Sequence, residues 1–395
     1  MKILGIVSEY NPFHNGHRFH IMESKKAIME DSAVVCVMSG DFVQRGDAAI
    51  FSKHTRAKAA ILGGADLVFE LPLPWSLASA EGFARGAIGM LGALSCVDFV
   101  SFGSECGDLK VLTSLARALL DPSINEKIKE EMKDGSSYAT ARQKALERES
   151  PLAEYLQTPN NILAVEYLKV ILSDGLPLKA VTIKRVGAGH DEKGGSASDI
   201  RALMARGYTV SSYIPKKVHE LFHEECLKGK GPVTLNSLES AIISRLRMLD
   251  ADFFNKIPDA SEGLGNRLFM SAREEATLDE IFTAVKTKRY ALSRIRRMTM
   301  CAALGLTGDL VRAFPFPPFA RVLAANEKGR QTLRKITAEA VIPVITKPAA
   351  VNSLPRECRS LFELGSSAHD LYVLGYQAQS ERAGRADWRT SPAML

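Results

Sequence analysis

Short apolar runs alternate with longer amphipathic stretches over the first half of the chain. Five apolar runs of strand length lie at residues 2–7, 33–38, 66–71, 97–102 and 178–186. Five stretches with apolar residues at helical spacing lie at residues 18–30, 53–62, 75–94, 109–120 and 162–172. Strands that alternate with helices are typical of a parallel α/β sheet. Ligands of such sheets bind at the carboxyl ends of the strands, where the strand order reverses, so the loops after the strands are the candidate sites.

The second half of the chain has a different pattern. Residues 121–159 are polar and charge-rich, which predicts a helical insertion before the last strand of the sheet. Residues 228–232 have the Gly- and Pro-rich composition of a linker. Beyond them, helical spacing recurs at residues 235–249, 262–273, 278–297 and 330–340, and the final residues are polar. We therefore predict an α/β domain over residues 1–230, a mainly helical domain over 235–380 and a poorly ordered tail over 381–395.

Composition is that of a globular protein in a reducing compartment. The chain has 395 residues, too many for one ordinary core, and 46% of them are hydrophobic. No apolar run reaches the ~18 residues that span a bilayer. Ser8, Glu9 and Asn11 interrupt the only early apolar run, so no signal peptide is predicted. None of the six cysteines forms a CxxC pair, and we expect free thiols and a cytoplasmic location.

The excess of positive charge is confined to the second half of the chain. Residues 1–230 carry 28 Lys and Arg against 28 Asp and Glu, whereas residues 231–395 carry 23 against 17. The whole net charge of +6 therefore lies in residues 231–395, which contain the predicted helical domain. A basic domain behind a neutral one suggests a polyanionic partner, although an excess this small is equally compatible with a role in solubility alone.

The strongest chemical signal follows the first predicted strand. A loop broken by Asn11-Pro12 leads into His14-Asn15-Gly16-His17, where a helix begins. The N-terminus of a helix attracts anions, and Gly16 lets the backbone approach a phosphate closely. Two imidazoles can donate hydrogen bonds to the oxygens of an α-phosphate while it is attacked. This pattern favours a nucleoside triphosphate site over its alternative, a helix-capping loop with incidental histidines.

The same residues carry a family resemblance. The HxGH pattern after the first strand resembles the HIGH-type nucleotidyltransferase superfamily, and the longer string from Glu9 to His17 resembles the tRNA(Met) cytidine acetate ligase family. Further matching segments lie at residues 38–46, 64–72, 101–105, 159–163, 262–264 and 286–290. The resemblance implies a Rossmann-like nucleotidyltransferase domain followed by a mainly helical domain that binds RNA. It also implies that ATP activates acetate as acetyl-adenylate, and that N4 of the wobble cytidine of elongator tRNA(Met) is then acetylated, giving N4-acetylcytidine, AMP and pyrophosphate.

The resemblance also implies a set of site residues. The catalytic pair is His14 and His17. The predicted ATP-binding residues are Val7, Ser8, Glu9, Tyr10, Asn11, Pro12, Phe13, His14, Asn15, Gly16, His17, Arg18, Phe19, His20, Gly103, Asn160, Asn161, Arg185, Ser196, Ser198 and Arg201.

Several of the predicted ATP-binding residues lie far from the histidine loop in the sequence. In the superfamily's strand order the first and fourth strands are neighbours, which brings Gly103 to the histidine loop; its alternative is an ordinary turn. One of Asn160 and Asn161 is expected to cap a helix and the other to contact ATP, without a choice between them. Strand alternation sends Lys184 and Arg185 to opposite faces, and the resemblance favours Arg185.

Residues 196–201 resemble the superfamily's second signature, a serine-rich turn that opens a helix. Hydroxyl and N–H groups of such a turn bind the β- and γ-phosphates. The alternative is a capping box with Ser198 as the N-cap.

The second domain contains one strongly basic segment. Lys286, Lys288, Arg289, Tyr290, Arg294, Arg296 and Arg297 fall on one predicted helix and are the predicted tRNA-binding residues. At about 100° per residue, Lys286, Arg289, Arg296 and Arg297 share one face. A basic face suits a phosphate backbone, and an aromatic ring can stack on an unpaired base. A merely solvated face is the alternative.

These observations predict an ATP-dependent ligase. The expected partners are ATP as co-substrate, acetate and tRNA, with neither DNA nor a membrane. Magnesium is expected to bridge the phosphates, and no dedicated protein metal site is predicted. Two rival functions stay open at this point: a small-molecule nucleotidyltransferase, which would leave the basic domain unexplained, and a non-catalytic RNA-binding protein that uses nucleotide as a ligand.

Overall fold

The computed structural model describes residues 1–133, 138–148, 150–185, 195–261 and 263–395. In these residues the strands are β1 (Lys2–Ser8), β2 (Ser32–Ser39), β3 (Phe42–Val43), β4 (Asp47–Ala48), β5 (Leu67–Leu71), β6 (Phe99–Ser104), β7 (Lys179–Lys184), β8 (Ala320–Ala325), β9 (Val344–Ile345) and β10 (Ala393–Met394). The helices of the first part are α1 (Asn15–Ile28), α2 (Lys53–Leu62), α3 (Ala80–Ala93), α4 (Leu109–Leu120), α5 (Pro122–Lys133), α6 (Tyr138–Glu147), α7 (Pro159–Ser173), α8 (Ala197–Ala205) and α9 (Lys216–Leu227).

The remaining helices follow the predicted linker. They are α10 (Leu235–Arg247), α11 (Ala251–Lys256), α12 (Leu264–Glu274), α13 (Leu278–Val285), α14 (Leu292–Leu304), α15 (Gly308–Arg312), α16 (Glu327–Glu339), α17 (Arg356–Val373) and α18 (Ala386–Arg389). Short 3₁₀ helices lie at Trp75–Leu77, Pro151–Gln157, Pro348–Ser353 and Gln379–Glu381. Within the described ranges, no helix combines the length and apolar character needed to cross a bilayer.

The main sheet has the strand order β10-β8-β5-β2-β1-β6-β7, with β9 paired to β8. Strands β5, β2, β1, β6 and β7 are parallel, which confirms the predicted α/β class. The chain runs outward from β1 to β2 and β5 and then returns to β6 on the other side of β1. The strand order therefore reverses between β1 and β6, and the carboxyl ends of these two strands form the crevice where ligands bind in such folds.

Strand alternation divides the apolar side chains between two cores. Ile3 and Val35 belong to the core that α3, α4 and α7 cover, whereas Leu4 and Val34 belong to the core that α1, α2 and α9 cover. The central strand β2 is buried along its whole length, as expected for a parallel strand with helices on both faces. The two layers together hold the crevice between β1 and β6 in a fixed shape.

The C-terminal part has its own core and also returns to the sheet. Helices α10 to α14 and α17 enclose a separate apolar cluster that includes Ile242, Leu268 and Ile295. The chain then enters β8, a fully buried strand that pairs antiparallel with β5. The span predicted as mainly helical thus contributes two strands, β8 and β9, because the mostly apolar residues 320–325 cover the open edge of β5.

The tail is packed, contrary to the expectation of poor order. Asp387 of α18 is fully buried, and β10 pairs with β8. The polar composition of residues 381–395 was misleading because Asp387 is a partner of buried cations from elsewhere in the chain.

Several predicted helix boundaries are wrong in ways that matter for the site. Helix α1 begins at Asn15, which makes His14 its N-cap, and α7 begins at Pro159 with Thr158 as its N-cap. Neither Asn160 nor Asn161 is therefore a cap. Ser196, and not Ser198, is the N-cap of α8. Proline favours the first helical position, which explains the earlier start of α7.

Two predicted helices are broken in the structure. Residues 75–94 divide into the 3₁₀ turn Trp75–Leu77 and α3, and residues 278–297 divide into α13 and α14. Lys286 to Arg289 contain no apolar side chain, so no buried stripe continues along this stretch to hold a helix. The expected common face of Lys286, Arg289, Arg296 and Arg297 does not exist.

Candidate active site

The loop after β1 carries the two predicted catalytic histidines, whose ring centroids lie 3.8 Å apart. The Nδ1 atom of His14 accepts the Gly16 N–H at 3.0 Å, and the Nδ1 atom of His17 accepts the His14 N–H at 3.2 Å. Each Nδ1 is thus an acceptor, so the proton of the neutral ring is on Nε2. The predicted capping role and the predicted phosphate role therefore use different ring atoms and do not exclude each other.

The electrostatic setting keeps both rings neutral at pH 7. Burial, together with Arg185 and Arg201, lowers the pKa of His14 to about 4. Burial and the adjacent His14 lower the pKa of His17 well below its ordinary value. The charged side chains that act on His14 are arginines, so this part of the crevice has an excess of positive charge. A phosphate group would supply the missing negative charge.

Close packing beneath the loop orients the rings. A Cβ atom on Gly16 would lie 2.8 Å from Cε1 of His14, so glycine is required for this ring position. Tyr10 is buried at φ 46° and meets the His17 ring edge-on at 4.9 Å between centroids. Phe13 is fully buried beside Tyr10. Tyr10 and Phe13, both predicted to bind ATP, support the loop from its buried side.

The two asparagines of the loop anchor it to distant segments. The Oδ1 atom of Asn11 accepts the Ile50 N–H at 2.8 Å. Asn15 donates from Nδ2 to the Ser212 carbonyl at 3.0 Å and from its backbone N–H to the Tyr213 carbonyl at 2.8 Å. Their side-chain groups thus fix the loop, and Pro12 between Asn11 and Phe13 is buried with it.

The two ends of the predicted ATP-binding stretch differ in their surroundings. At one end, Val7 and Ser8 are the last residues of β1. Near the other end, Arg18 and Phe19 are exposed on α1. His20 is turned toward the sheet, with its Nε2 atom 3.1 Å from Oγ of Ser101.

Arg185 connects the predicted residues of β6, α7 and the loop. A Cβ atom on Gly103 would lie 3.4 Å from Cγ of Arg185, and Nη1 of Arg185 lies 3.5 Å from Oδ1 of Asn160. The charge of Arg185 also acts on His14. Lys184, in contrast, packs its stem on the opposite side, against Gly107. The structure thus brings Gly103, Asn160 and Arg185 together beside the histidines.

A carboxylate that sequence reasoning missed organises the two asparagines of α7. Glu105 accepts the side-chain N–H of Asn160 at 2.6 Å and the backbone N–H of Asn161 at 2.8 Å. Asn161 is buried, with Oδ1 bound to the Glu105 N–H and Nδ2 bound to the Tyr155 carbonyl. Asn161 is therefore fully used within the protein, and Asn160 is the member that faces Arg185. Glu105 and Asn160 are 55 residues apart, so no local sequence signal marks the contact.

The second predicted signature, residues 196–201, directly follows a stretch, residues 186–194, that lies outside the described residues. Ser196 caps α8 through the Asp199 N–H at 3.2 Å. Arg201 donates to the Asn11 carbonyl at 2.7 Å and to Oγ of Ser198 at 3.2 Å. Arg201 thus links α8 directly to the histidine loop.

Arg56 is a further residue that the sequence did not single out for this role. It is fully buried and donates to the Phe51 carbonyl and to the carbonyls of Glu9 and Gly40, which directly follow strands β1 and β2. Glu9 in turn accepts the Gln44 N–H at 2.8 Å. Arg56 is therefore neither solvated nor turned toward a substrate, because its guanidinium holds loop carbonyls in the interior.

Lys53 belongs to a second cluster, which we call the buried ion network: Asp41, Lys53, Glu70, Arg321, His369 and Asp387. Lys53 Nζ lies 2.8 Å from Glu70 and 2.5 Å from Asp387, and Arg321 contacts the same two carboxylates. Nδ1 of His369 lies 2.8 Å from Asp41. All six side chains are buried.

One group of metal-ligand side chains occurs in the described residues, and it lies at this network. His54, His369 and Asp387 present atoms within 4.8 Å of one another. These atoms already have partners, since His54 contacts Asp387 at 2.9 Å and Lys53 contacts it at 2.5 Å. The surroundings of His14 and His17 provide no comparable set among the described residues. They therefore do not fit a metal ion held by the protein itself.

The predicted tRNA-binding residues fall into groups with different surroundings. Lys286, Lys288 and Arg296 line a cavity between α13 and α14. Arg294 donates to the Asp259 carbonyl at 2.7 Å, and Arg297 contacts the Asp259 carboxylate at 3.4 Å. Arg294 also lies over the ring of Tyr290 at 5.2 Å, which covers one face of that ring. Arg289 is exposed in the break between the helices. The match at residues 262–264 is described only from Gly263 onward.

Comparisons with known proteins agree over the whole length of the chain. The HIGH Nucleotidyl Transferase family model matches residues 1–387. The tRNA(Met) cytidine acetate ligase of Thermoanaerobacter sp. (strain X514) is 39% identical over 392 residues, covering 96% of this chain and 97% of the relative. The ligase of the same name from Acetivibrio thermocellus is 37% identical over 398 residues, covering 95% and 96%.

Solved structures give the same result. The crystal structure of Thermotoga maritima TmcAL bound with alpha-thio ATP is similar to this chain with a TM-score of 0.94 and 34% identity, covering 100% of both chains. The apo structure of the same protein has a TM-score of 0.95 and 33% identity over 100% of both chains.

Proposed function

The chain belongs to the tRNA(Met) cytidine acetate ligase family of HIGH nucleotidyl transferases, and we propose from this membership how its residues carry out the reaction. The enzyme is an ATP-dependent ligase that acetylates a cytidine of tRNA(Met). In the first step an acetate oxygen attacks the α-phosphorus of ATP, and pyrophosphate leaves. In the second step the N4 amine of the cytidine attacks the acetyl carbonyl, loses a proton, and AMP leaves.

The observation that carries this assignment is the pair of neutral histidines. Their Nδ1 atoms accept backbone N–H groups, so each ring keeps its Nε2–H for the ligand. Negative charge builds up on the α-phosphate oxygens as acetate attacks, and donors that are already oriented stabilise it without reorganisation. His14 and His17 are therefore assigned to the α-phosphate. A neutral donor also avoids the desolvation cost that a buried imidazolium would pay before ATP binds.

The surrounding residues are assigned to the remaining parts of ATP. Arg185 and Arg201 supply the positive charge that offsets the triphosphate. Asn160 is assigned to the adenosine, because Asn161 has no free side-chain group left. Gly103 leaves the room beside Arg185 that a nucleotide would occupy. Ser196 and Ser198 at the start of α8 are assigned to the terminal phosphates, next to Arg201.

Magnesium enters this assignment only with ATP. Because the described residues around His14 and His17 form no metal site, a magnesium ion on the triphosphate would be held by phosphate oxygens and water. No step of the reaction is assigned to it here. The tRNA is assigned to Tyr290 and to four basic residues, which lie in the segment between α13 and α14 or near the start of α14: Lys286, Lys288, Arg289 and Arg296.

ATP–pyrophosphate exchange tests the proposal. Exchange should depend on acetate, and radiolabelled acetate should reach tRNA(Met) only when ATP is present. Propionate and formate, used in place of acetate, report how narrow the acid pocket is. A label on tRNA from ATP and not from acetate would instead support a nucleotidyltransferase. Binding of tRNA without any exchange would support the non-catalytic alternative.

A further inference from the structure

A cavity opens where the chain breaks between α13 and α14. Its volume is about 460 Å³, which is within the range of roughly 300–1,000 Å³ for pockets that hold small ligands. The lining residues are Asp279, Phe282, Thr283, Lys286, Thr287, Lys288, Leu292 and Arg296. We call this cavity the α13–α14 pocket.

One side of the pocket is built for an anion. Lys286 and Lys288 are exposed at the break, and neither has an ion-pair partner among the described residues. Arg296 lies over the ring of Phe282 at 5.3 Å, and its buried Nε atom has no hydrogen-bond partner in the described part of the chain. Helix α14 also begins here without a capping side chain. Three cations and an uncapped helix start together favour a phosphate group.

The other side of the pocket has a different character. Phe282 and Leu292 provide an apolar surface, and Asp279 places a carboxylate among the cations. Within the described residues this carboxylate has no hydrogen-bond or ion-pair partner, since only its backbone carbonyl accepts the Thr283 hydroxyl. A surface that bound phosphate alone would gain nothing from an acid. A carboxylate does accept the exocyclic amine of a nucleobase, and an apolar wall suits the face of the base.

A short hairpin joins this pocket to the histidine loop. In the turn of the β3–β4 hairpin, the Gln44 N–H donates a hydrogen bond to the Glu9 carboxylate at 2.8 Å. Two residues further along the same turn, Gly46 has φ 73°, and a Cβ atom there would collide with the backbone N of Arg297 and lie 2.8 Å from Cβ of Arg296. The hairpin therefore rests directly on α14. A chain bound in the pocket would continue toward the loop that holds ATP.

We propose that the α13–α14 pocket binds one unpaired nucleotide of the tRNA, with its phosphate on Lys286, Lys288 and Arg296 and a base that donates its exocyclic amine to Asp279. This inference rests on the proposed function, because it deepens the tRNA assignment. The nucleotide is a neighbour of the reacting cytidine and not that cytidine itself, since no lining residue belongs to the loop that carries His14 and His17. By holding this neighbouring nucleotide, the pocket determines which base of the tRNA loop reaches the acetyl group.

The phosphate half is tested with charge-neutralising variants. Lys286→Gln together with Lys288→Gln should weaken binding of a tRNA(Met) transcript about 10-fold or more, and the slope of log affinity against log salt should fall by about 2. Lys216→Gln together with Lys217→Gln removes the same charge from two exposed lysines of α9 and serves as the control. Equal tRNA affinity in the two double variants would overturn the proposal. Thermal melting of each variant verifies that it is folded.

The base half is tested with abasic transcripts. A single abasic site is placed in turn at each unpaired position next to the reacting cytidine, and affinity for the wild-type enzyme should fall about 10-fold at one of them. In Asp279→Ala, which removes the acceptor of the exocyclic amine, that loss should disappear. The base assignment is refuted if no position matters or if the loss persists in the variant. Acetyl transfer from the wild-type enzyme to the unmodified transcript tests the proposed function separately, so the two failures cannot be confused.

Discussion

The histidine loop and the buried ion network use the same residue type in opposite ways. In the loop, burial and nearby arginines lower the pKa of His14 to about 4. In the network, burial opposes the charge of His369, but the carboxylates of Asp41 and Asp387 outweigh it and raise its pKa. With His369 protonated, the network pairs three cations with three carboxylates. The loop has hydrogen-bond donors, and Arg185 beside it has no ion-pair partner in the described residues.

This difference separates function from structure. Charges that are matched within the protein hold segments together, as the network holds α17 and α18 to β5 and α2. Charges in a crevice that have no partner of opposite sign destabilise the free protein, and a ligand of opposite charge would stabilise them. The loop can therefore bind an anion, whereas the charges of the network are already paired within the protein. Four experiments test this contrast, beginning with the largest expected effect.

Removing one charge from the network should cost the most. Asp387→Asn removes one of the two buried carboxylates, Asp387 and Glu70, that Lys53 and Arg321 share, and the free energy of unfolding should fall by about 3–5 kcal/mol. Denaturant unfolding measures it. Asp309→Asn on α15, an exposed carboxylate that pairs with Arg312, is the control and should change stability by less than about 0.5 kcal/mol. A small effect of Asp387→Asn would mean that the network is not structural.

Removing a loop histidine should instead affect catalysis. His17→Ala deletes one proposed α-phosphate donor, and acetate-dependent ATP–pyrophosphate exchange should fall about 10²–10³-fold. The cost in stability should be only about 1 kcal/mol, because the main loss is one capping hydrogen bond, from the His14 N–H to Nδ1 of His17. His223→Ala on the exposed side of α9 is the matched control. An unchanged exchange rate would remove His17 from the mechanism.

The pH dependence of stability should have opposite signs in the two regions. The folded pKa of His14, about 4, is below its ordinary value of 6.5, so the unfolded chain takes up the proton first and stability falls as the pH drops from 6.5 toward 4. His14→Asn keeps a capping acceptor and should flatten this part of the profile by on the order of 1 kcal/mol.

The contribution of His369 to stability has the opposite pH dependence. Its folded pKa is above 6.5, so its stabilising contribution is complete below pH 6.5 and is lost as the pH rises through the folded pKa. His369→Asn should therefore flatten the unfolding profile above pH 6.5 and not below it. Chemical unfolding of both variants and the wild type at a series of pH values gives the comparison. Profiles that change in the same pH range would contradict it.

The last contrast lies between two neighbouring residues of one helix, α7. Asn160→Ala should raise KM for ATP about 10-fold, the loss of roughly one hydrogen bond, with little change in melting temperature. Asn161→Ala should destabilise the protein by about 1–3 kcal/mol, because it leaves the Tyr155 carbonyl and the Glu105 N–H without their partner. A KM effect confined to Asn161→Ala would reverse the assignment.

The periodic pattern was sufficient for the parallel strands. Buried apolar runs such as β2 are read directly from sequence, because each strand is apolar on both faces. Strand β8 was missed because its apolar residues, 320–325, lie between helical segments, and only the open edge of β5 identifies them as a strand. The break after α13 was missed because helical spacing of apolar residues resumes in α14.

For the site, the sequence determined the local chemistry. The order of His14, Gly16 and His17 makes the cap, excludes any side chain at the middle position and directs both Nδ1 atoms to backbone N–H groups, all within four residues. The tertiary structure alone decided the partners that are distant in the chain. It gave Asn160 and Asn161 different roles through Glu105, buried Arg56 among carbonyls, and drew Asp387 from the polar tail into the network. Side-chain burial and pairing depend on what packs against a residue, and neighbours far apart in sequence leave no local pattern.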